Sequence, residues 1–282
     1  MNRKKIAEET LKIQQQGYYD TNGARVEFAE MQKASEKNSF LIVPEEGRRL
    51  IRDMKPPERG LLAPITVVNQ STVQAVMDMS WGGERLAALN FASAKNPGGG
   101  FLSGAMAQEE ALAASSGLYK TQLLHMAYYN ANRACGTMMY TNHAIYSPSV
   151  VFFRDGNFEL VSTIATASVL TLPAVNLGQV VLKGEDVETA KSAMKNRMRL
   201  CLAIFASQKE NHLILGAYGC GVFRNDPKDV SHWWKELLID EGYGRFFSKV
   251  VFAILDSSKT QGSITVFQNA FLQTNASDLI FS

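Results

Sequence analysis

Short apolar segments alternate with helical patterns over most of this 282-residue chain, and this alternation constrains its fold more than any other feature. The segments "PITVVNQ", "RLAALNFAS", "HLILGAYG" and "KVVFAILD" have the length and continuous hydrophobicity of buried strands. Helical patterns lie between them, such as "STVQAVMDMSWG" and the long "DVETAKSAMKNRMRLCLAIFASQKE". The chain is therefore predicted to adopt a layered α/β fold.

The first 60 residues differ from the rest of the chain. Residues 3–16 form an amphipathic helical pattern that Gly17 stops, and a polar segment then continues to about Pro44. The segment "EEGRRLIRDM" predicts a short charged helix that ends before two prolines. We expect residues 1–60 to form a helical extension that packs on a core of residues 61–282, as one compact unit.

Three further elements are predicted around the middle of the chain. A helix should contain Glu110 to Tyr119. Two strand-like runs flank Asp155-Gly156 in "AIYSPSVVFFRDGNFELVSTIA", which predicts a β-hairpin. The segment "ASVLTLPAVNLG" then reads as a separate strand.

Composition excludes several classes of protein. The 29 basic and 27 acidic residues give a net charge of +2, so no broad basic face for sequence-specific nucleic-acid binding is expected. The N-terminus lacks the apolar core of a signal peptide, and no stretch is long enough to span a membrane. The three cysteines are far apart, which fits a reducing compartment. We therefore expect a soluble, cytoplasmic protein.

Metal and common nucleotide motifs are absent from the sequence. The four histidines are scattered, and neither HExxH nor CxxC occurs, so no zinc site is predicted. The chain has no Gly-Lys-Ser/Thr of a P-loop, and its glycine spacing differs from the dinucleotide-binding fingerprint. Neither phosphoryl transfer nor hydride transfer is indicated.

Two glycine-rich loops each follow a predicted strand and precede a predicted helix. The first loop is "NPGGGFLSGA", after the strand through Leu89 and Phe91. The second loop is "GAYGCGVF", before the helix that starts at Asp226. Ligands of open α/β sheets bind beyond the carboxyl ends of the strands, where loop N–H groups can face phosphate. Two such loops at equivalent positions predict a diphosphate-containing ligand.

Gln108, Glu109 and Glu110 follow the first loop. Adjacent residues of a helix diverge by about 100°, so the two glutamates should face different directions. They are poorly placed to form the opposed carboxylate pair of common glycosidases, and one carboxylate acting as a general acid fits better. The alternative is a pair of solvated first-turn acids. Cys220 could be a nucleophile, but no base lies beside it in the sequence, so a small side chain that fits the loop is preferred.

The string "GGGFLSGAMAQEE" resembles the signature of the poly(ADP-ribose) glycohydrolases, three glycines followed after about six to eight residues by Gln-Glu-Glu, and seven residues intervene here. The context is similar to the bacterial-type branch of that family. Further resemblances follow in order along nearly the whole chain: "IAEETLKIQQQGYY", "LNFASAKNPGGG", "IYSPSVVFFRD", "LPAVN", "LGAYGCGVFRNDP" and "VVFAILD". The resemblance implies a macrodomain-like, three-layer α/β/α fold with a mixed central sheet.

The resemblance also implies a role for each motif residue. Glu110 would be the catalytic acid, and Glu109 would bind ribose hydroxyls and help to position the terminal unit. The other expected ligand-binding residues come from the two loops and the signature: Asn96, Gly98, Gly99, Gly100, Gln108, Gly219, Gly221, Val222 and Phe223. The first loop would lie against the distal ribose and diphosphate, and the second would cradle the diphosphate, with Phe223 at the proximal ribose or near the adenine.

The implied reaction is hydrolysis of the ribose–ribose O-glycosidic bond of poly(ADP-ribose), from chain ends, with release of ADP-ribose. No metal or cofactor is expected, and a monomer is the simplest expectation. The partner would be poly(ADP-ribose) or an ADP-ribosylated protein. Two alternatives stay open from the sequence. One is an ADP-ribose reader that binds chain ends without cutting them, and the other is a hydrolase of mono-ADP-ribosyl groups.

Overall fold

The computed structural model describes residues 2–272, which contain nine strands and eleven α-helices. The strands are β1 (Tyr18–Thr21), β2 (Ala24–Glu27), β3 (Phe40–Ile42), β4 (Ile65–Val68), β5 (Leu86–Ala92), β6 (Ala144–Arg154), β7 (Leu160–Pro173), β8 (His212–Leu215) and β9 (Lys249–Ala253). The helices are α1 (Arg3–Gln16), α2 (Ala29–Asn38), α3 (Pro44–Asp53), α4 (Thr72–Met79), α5 (Gln108–Ser115), α6 (Leu118–Leu123), α7 (Met126–Ala134), α8 (Leu177–Leu182), α9 (Val187–Ser207), α10 (Pro227–Lys235) and α11 (Gly262–Leu272).

Seven of these strands form one mixed sheet in the order β3-β6-β7-β5-β8-β9-β4. Strands β7, β5, β8, β9 and β4 run parallel. At one edge β6 runs antiparallel to β7, and β3 runs antiparallel to β6. Because parallel strands end at the same edge of a sheet, the loops after β5 and β8 lie side by side. The end of β7 lies on the other side of the loop after β5.

Helices cover both faces of the sheet, since successive strand residues point to opposite sides. Leu89 and Leu213 pack on one face with the long helix α9. Ala88 and Ile214 pack on the other face with α4 and with Leu112 of α5. The predicted fold class, three-layer α/β/α with a mixed central sheet, is confirmed. No helix in the described range 2–272 is long and apolar enough to cross a membrane.

The N-terminal helix supports the back of α5. The predicted helix over residues 3–16 is confirmed as α1, and Gly17 ends it in the left-handed region at φ 75°. The Thr10 hydroxyl donates to the carbonyl of Ala114 at 2.7 Å, and the Gln14 amide donates to the carbonyl of Ser116 at 2.7 Å. Helix α1 therefore fixes the far end of the helix that carries both glutamates.

The polar segment before Pro44 holds more regular structure than its sequence indicates. It contains the hairpin β1–β2, the helix α2 and the strand β3, which pairs with β6 in the main sheet. These elements are short and sparsely apolar, so their sequences lack a strong period. The division into an extension of residues 1–60 and a core of residues 61–282 remains a prediction.

Two element boundaries in the middle of the chain differ from the prediction. The hairpin at Asp155-Gly156 is confirmed, but β7 runs without interruption to Pro173, so "ASVLTLPAVNLG" is not a separate strand. The predicted helix from Glu110 to Tyr119 is wrong beyond Ser115, because extended Ser116 separates α5 from α6 and forms a bridge to Phe152.

Two glycines of the N-terminal segment, Gly17 and Gly23, share a left-handed backbone but differ in how closely other atoms surround them. We expect Gly17→Ala to destabilise the protein more than Gly23→Ala, because both residues have φ near 76° but only Gly17 is enclosed. A Cβ at Gly17 would lie 2.6 Å from the Cβ of Ala29, whereas a Cβ at Gly23 would meet nothing within 4 Å.

The left-handed backbone alone costs about 1–2 kcal/mol for a residue with a Cβ, so Gly23→Ala should lower the unfolding free energy by about that amount. Urea unfolding of both variants measures the difference. Equal losses would show that the contact of Gly17 with α2 adds nothing.

Candidate active site

Gln108 fastens the start of α5 to the end of β5. Its side-chain oxygen accepts from the N–H of Phe91 at 2.8 Å, and its amide nitrogen donates to the carbonyl of Leu89 at 2.8 Å. The same nitrogen donates to the Thr72 hydroxyl at 3.1 Å. The Gln108 side chain therefore bonds backbone groups of β5 that a neighbouring strand would otherwise bond. Its role in ligand binding remains a prediction.

Glu109 lies in a buried polar network beside Gln108 and is only 3% exposed. One carboxylate oxygen accepts from the amide of Asn90 at 3.1 Å and from the amide of Gln122 at 2.9 Å. The other accepts from the N–H of Ser93 at 2.6 Å. Three donors from three parts of the chain thus fix the orientation of this side chain.

Burial is the largest influence on the proton affinity of Glu109. Loss of water raises the pKa of Glu109 to about 8, although the bonds from Ser93, Asn90 and Gln122 oppose that change. The nearby charge of Glu110 adds a small further increase to the pKa. Two adjacent glutamates therefore occupy very different environments.

Glu110 points to the first glycine loop and accepts from the N–H of Gly100 at 2.8 Å through Oε1. Within the described part of the chain, no group bonds to its other oxygen, Oε2. A Cβ at Gly99 would lie 2.5 Å from Glu110 Oε1 and 3.0 Å from Glu109 Oε2. As predicted from their positions on the helix, the two glutamates bind different hydrogen-bond donors. Both carboxylates nevertheless lie close to Gly99.

The N–H groups of the first loop are used within the protein. Gly98 donates to the side-chain oxygen of Gln122 at 3.0 Å, Gly99 donates to the carbonyl of Asn96 at 3.0 Å, and Gly100 donates to Glu110. Gly98 and Gly99 both lie in the left-handed region. Gly99 therefore makes room for the two carboxylates, and the loop can offer a ligand its Cα surface.

The second loop leaves four of its N–H groups without an acceptor inside the described part of the chain. Among residues 2–272, no group accepts from the backbone N–H of Gly219, Gly221, Val222 or Phe223. The buried Asn225 holds the base of this loop, because its amide donates to the carbonyls of Val175 at 2.9 Å and Gly219 at 3.0 Å. Unused N–H groups on a rigid loop suit an anion.

The tip of the second loop is exposed and partly apolar. Val222 is 84% exposed, and the ring of Phe223 is half-buried and packs 6.1 Å from the ring of Tyr140. The carbonyl of Phe223 accepts from the N–H of Gly178 at 3.0 Å, which ties the loop to α8. The tip is therefore fixed at its base and at Phe223.

The structure distributes the predicted site residues over two adjacent loops and one helix start. Gly98, Gly99, Gly100, Glu109 and Glu110 come together, and the residues of the second loop follow the neighbouring strand β8. Asn96, in the first loop, is exposed.

Sequence reasoning missed three residues that hold Glu109, namely Asn90, Ser93 and Gln122. Asn90 could have been noticed as the one polar residue in the apolar strand "LAALNFA". Gln122 gives no signal, because only the fold brings it to the glutamate.

Cys220 has an environment that disfavours a reactive thiolate. Burial raises the pKa of the Cys220 thiol to about 12, and the charge of Asp226 adds to the increase. No cluster of three or more histidine, cysteine or acidic side chains within residues 2–272 is arranged to hold a metal ion.

Comparison with known proteins places this geometry in a family. The family model described as "Microbial-type PARG, catalytic domain" matches residues 7–155, where PARG stands for poly(ADP-ribose) glycohydrolase. None of the curated proteins compared matches the chain.

Solved structures match over most of the chain. The poly(ADP-ribose) glycohydrolase of Thermomonospora curvata is 36% identical with a TM-score of 0.91, covering 95% of this chain and 99% of that one. The same enzyme bound to the inhibitor ADP-HPD is 35% identical with a TM-score of 0.89 over the same shares. The enzyme of Deinococcus radiodurans in complex with ADP-ribose is 38% identical with a TM-score of 0.81, covering 86% of this chain and 97% of that one.

The raised pKa of Glu109 predicts a pH dependence of stability. The folded protein holds this proton more tightly than the unfolded chain, whose glutamates have an ordinary pKa of 4.5. The stabilisation is therefore complete below about pH 4.5 and is lost as the pH rises toward 8. Relative to Glu109→Gln, the unfolding free energy of the wild type should fall by up to about 1.4 kcal/mol per pH unit in that window.

Urea unfolding at several pH values between 5 and 9 measures this slope. Glu8→Gln is the control, because Glu8 is exposed on α1 and should leave the slope unchanged. Parallel curves for the wild type and Glu109→Gln would contradict the raised pKa.

Proposed function

Since the chain belongs to the microbial-type poly(ADP-ribose) glycohydrolases, a family of glycosidases, we propose that it hydrolyses the ribose–ribose O-glycosidic bond of poly(ADP-ribose). The observation that carries this proposal is the placement of Glu110. Its carboxylate is held through one oxygen by Gly100 and leaves Oε2 available, and the second loop, which follows the neighbouring strand, has four N–H groups without an internal acceptor. A general acid and an anion cradle therefore share one edge of the sheet.

The two loops divide the ligand between them in this proposal. The N–H groups of Gly219, Gly221, Val222 and Phe223 bind the diphosphate, and the exposed surface of Phe223 lies against the proximal ribose or adenine. Gly98, Gly99 and Gly100 let the distal ribose approach Glu110, and Asn96 is a further ribose contact. Glu109 binds ribose hydroxyls where its buried carboxylate meets Gly99.

Glu110 acts first as an acid and then as a base. It donates its proton to the oxygen of the leaving ribose while the bond from that oxygen to the anomeric carbon breaks with both electrons on the oxygen. The anomeric carbon gains oxocarbenium character, which the nearby diphosphate stabilises. Water then attacks that carbon, and the ionised Glu110 takes a proton from it. The products are ADP-ribose and a polymer shortened by one unit.

The charge of the ligand prepares the acid. The two negative charges of a bound diphosphate favour the uncharged, proton-carrying form of a nearby carboxyl group. The N–H of Gly100 stabilises the carboxylate that forms when the proton leaves. We propose that the protein works on chain ends, as a monomer, in the cytoplasm.

Substitution of Glu110 tests the proposed reaction. Glu110→Gln should lower the rate of ADP-ribose release from purified poly(ADP-ribose) by about 10²–10⁴-fold, the usual contribution of a general acid. Its affinity for ADP-ribose should change little, because the substitution keeps the shape of the side chain. The wild type should release ADP-ribose from the start, without early release of ADP-ribose oligomers cut from within the chain.

Glu8→Gln serves as the control for an exposed glutamate and should keep the wild-type rate. Equal rates for the wild type and Glu110→Gln would remove Glu110 from the reaction. Tight ADP-ribose binding without release by the wild type would indicate a reader, or a hydrolase of mono-ADP-ribosyl groups.

A further inference from the structure

Arg197 is a buried cation in the middle of α9 and is only 2% exposed. Its Nε donates to the side-chain oxygen of Asn142 at 3.0 Å. One terminal nitrogen donates to the carbonyls of Met139 at 2.7 Å and Pro173 at 3.0 Å, and the other donates to the carbonyl of Tyr140 at 3.4 Å. The guanidinium is therefore satisfied as a hydrogen-bond donor.

Its charge, in contrast, is not neutralised. Every partner of Arg197 is an uncharged oxygen, and no carboxylate within residues 2–272 pairs with it. A buried charge is ordinarily paired, because its removal from water is costly. Two other arginines of the chain do have a carboxylate partner, since Arg154 pairs with Glu9 and Arg199 pairs with Glu241.

The cation lies behind the second loop. Met194 lies one turn before Arg197 on the same face of α9. A Cβ built at Gly219 of the second loop would lie 3.4 Å from the Cε of Met194. Ala174 follows Pro173, whose carbonyl Arg197 binds. The Cβ of Ala174 would lie 2.8 Å from a Cβ built at Gly219. Tyr218 precedes Gly219 and is close enough for the charge of Arg197 to lower the pKa of its hydroxyl, against the larger effect of burial.

Arg197 also fixes the aromatic neighbour of this loop. It binds the carbonyl of Tyr140, a residue with a left-handed backbone at φ 58°, and the ring of Tyr140 packs against Phe223. The guanidinium thus joins the end of β7 to the segment of residues 139–142, and Tyr140 of that segment contacts Phe223 of the second loop. Arg197 itself is almost fully buried, so little water screens its charge.

We propose that Arg197 is a specificity-determining residue, a fixed internal counter-charge that favours anionic, diphosphate-bearing ligands without touching them. This inference rests on the proposed function, since the anion is the diphosphate that the second loop would bind. The field of the cation crosses a low-dielectric interior, where charges interact over longer distances than in water. The ligand supplies the negative charge that the protein interior lacks.

Asn142 allows the charge to be cancelled while Arg197 remains in place. Asn142→Asp puts a carboxylate at hydrogen-bond distance from Nε in the same shape, whereas Asn142→Ala removes that hydrogen bond without adding charge. We expect Asn142→Asp to bind ADP-ribose about tenfold more weakly than Asn142→Ala by calorimetry. Its melting temperature should nevertheless be the higher of the two, because the new carboxylate pairs with Arg197.

Asn196→Asp is the control for added negative charge. Asn196 is exposed on the same helix and accepts from Arg199, so its affinity for ADP-ribose should stay within about threefold of the wild type because solvent screens the change. A role in packing alone predicts the opposite order, with the more stable Asn142→Asp binding better than Asn142→Ala, and that result would overturn the proposal.

The outcomes also separate this inference from the proposed function. A wild type that binds and releases ADP-ribose, together with equal binding by both Asn142 variants, would overturn the counter-charge and leave the function standing. A wild type that does not bind ADP-ribose would overturn both.

Discussion

The burial of Glu109 at the end of β5 is the interaction on which the candidate site depends. A carboxyl group at this depth needs donors, and the chain supplies them from β5, from the residue after it and from α6. Those bonds hold the strand, the first loop and two helices in one arrangement. Glu110 follows directly in the chain, so the position of the proposed acid is set by its buried neighbour.

The two glycine loops look alike in sequence and do different physical work. In the first, a Cβ at Gly99 would collide with a carboxylate oxygen, and the three glycine N–H groups already have acceptors inside the protein. In the second, a Cβ at Gly221 would meet nothing within 4 Å, and the N–H groups of Gly219, Gly221, Val222 and Phe223 have no acceptor within residues 2–272. One loop thus shapes the space for a sugar, and the other can hold an anion with Arg197 behind it.

The strands β4, β5, β8 and β9, the helices α4, α9 and α10, and the positions of both loops could be predicted from the sequence, because continuous apolar runs and amphipathic helical patterns are strong signals. The short elements before Pro44 could not, since β3 owes its place to pairing with β6. The sequence around Ser116 predicts a continuous helix, but the β-bridge of Ser116 to Phe152 interrupts that helix. In the site, the signature predicted Glu109 and Glu110, whereas Gln122 and Arg197 depend on contacts between distant segments that no local pattern records.

The central claim is that the absence of a side chain at Gly99 lets the carboxylates of Glu109 and Glu110 approach the first loop and so positions Glu110. The hydrolysis rate of Gly99→Ala tests this claim most directly. A methyl group there would displace Glu110 from the N–H of Gly100, so the account predicts a loss of about a hundredfold in ADP-ribose release, the effect of misplacing a catalytic group by about 1 Å. Gly136→Ala, where a Cβ meets nothing within 4 Å, should keep the wild-type rate. A Gly99→Ala protein that works at the wild-type rate would contradict the account.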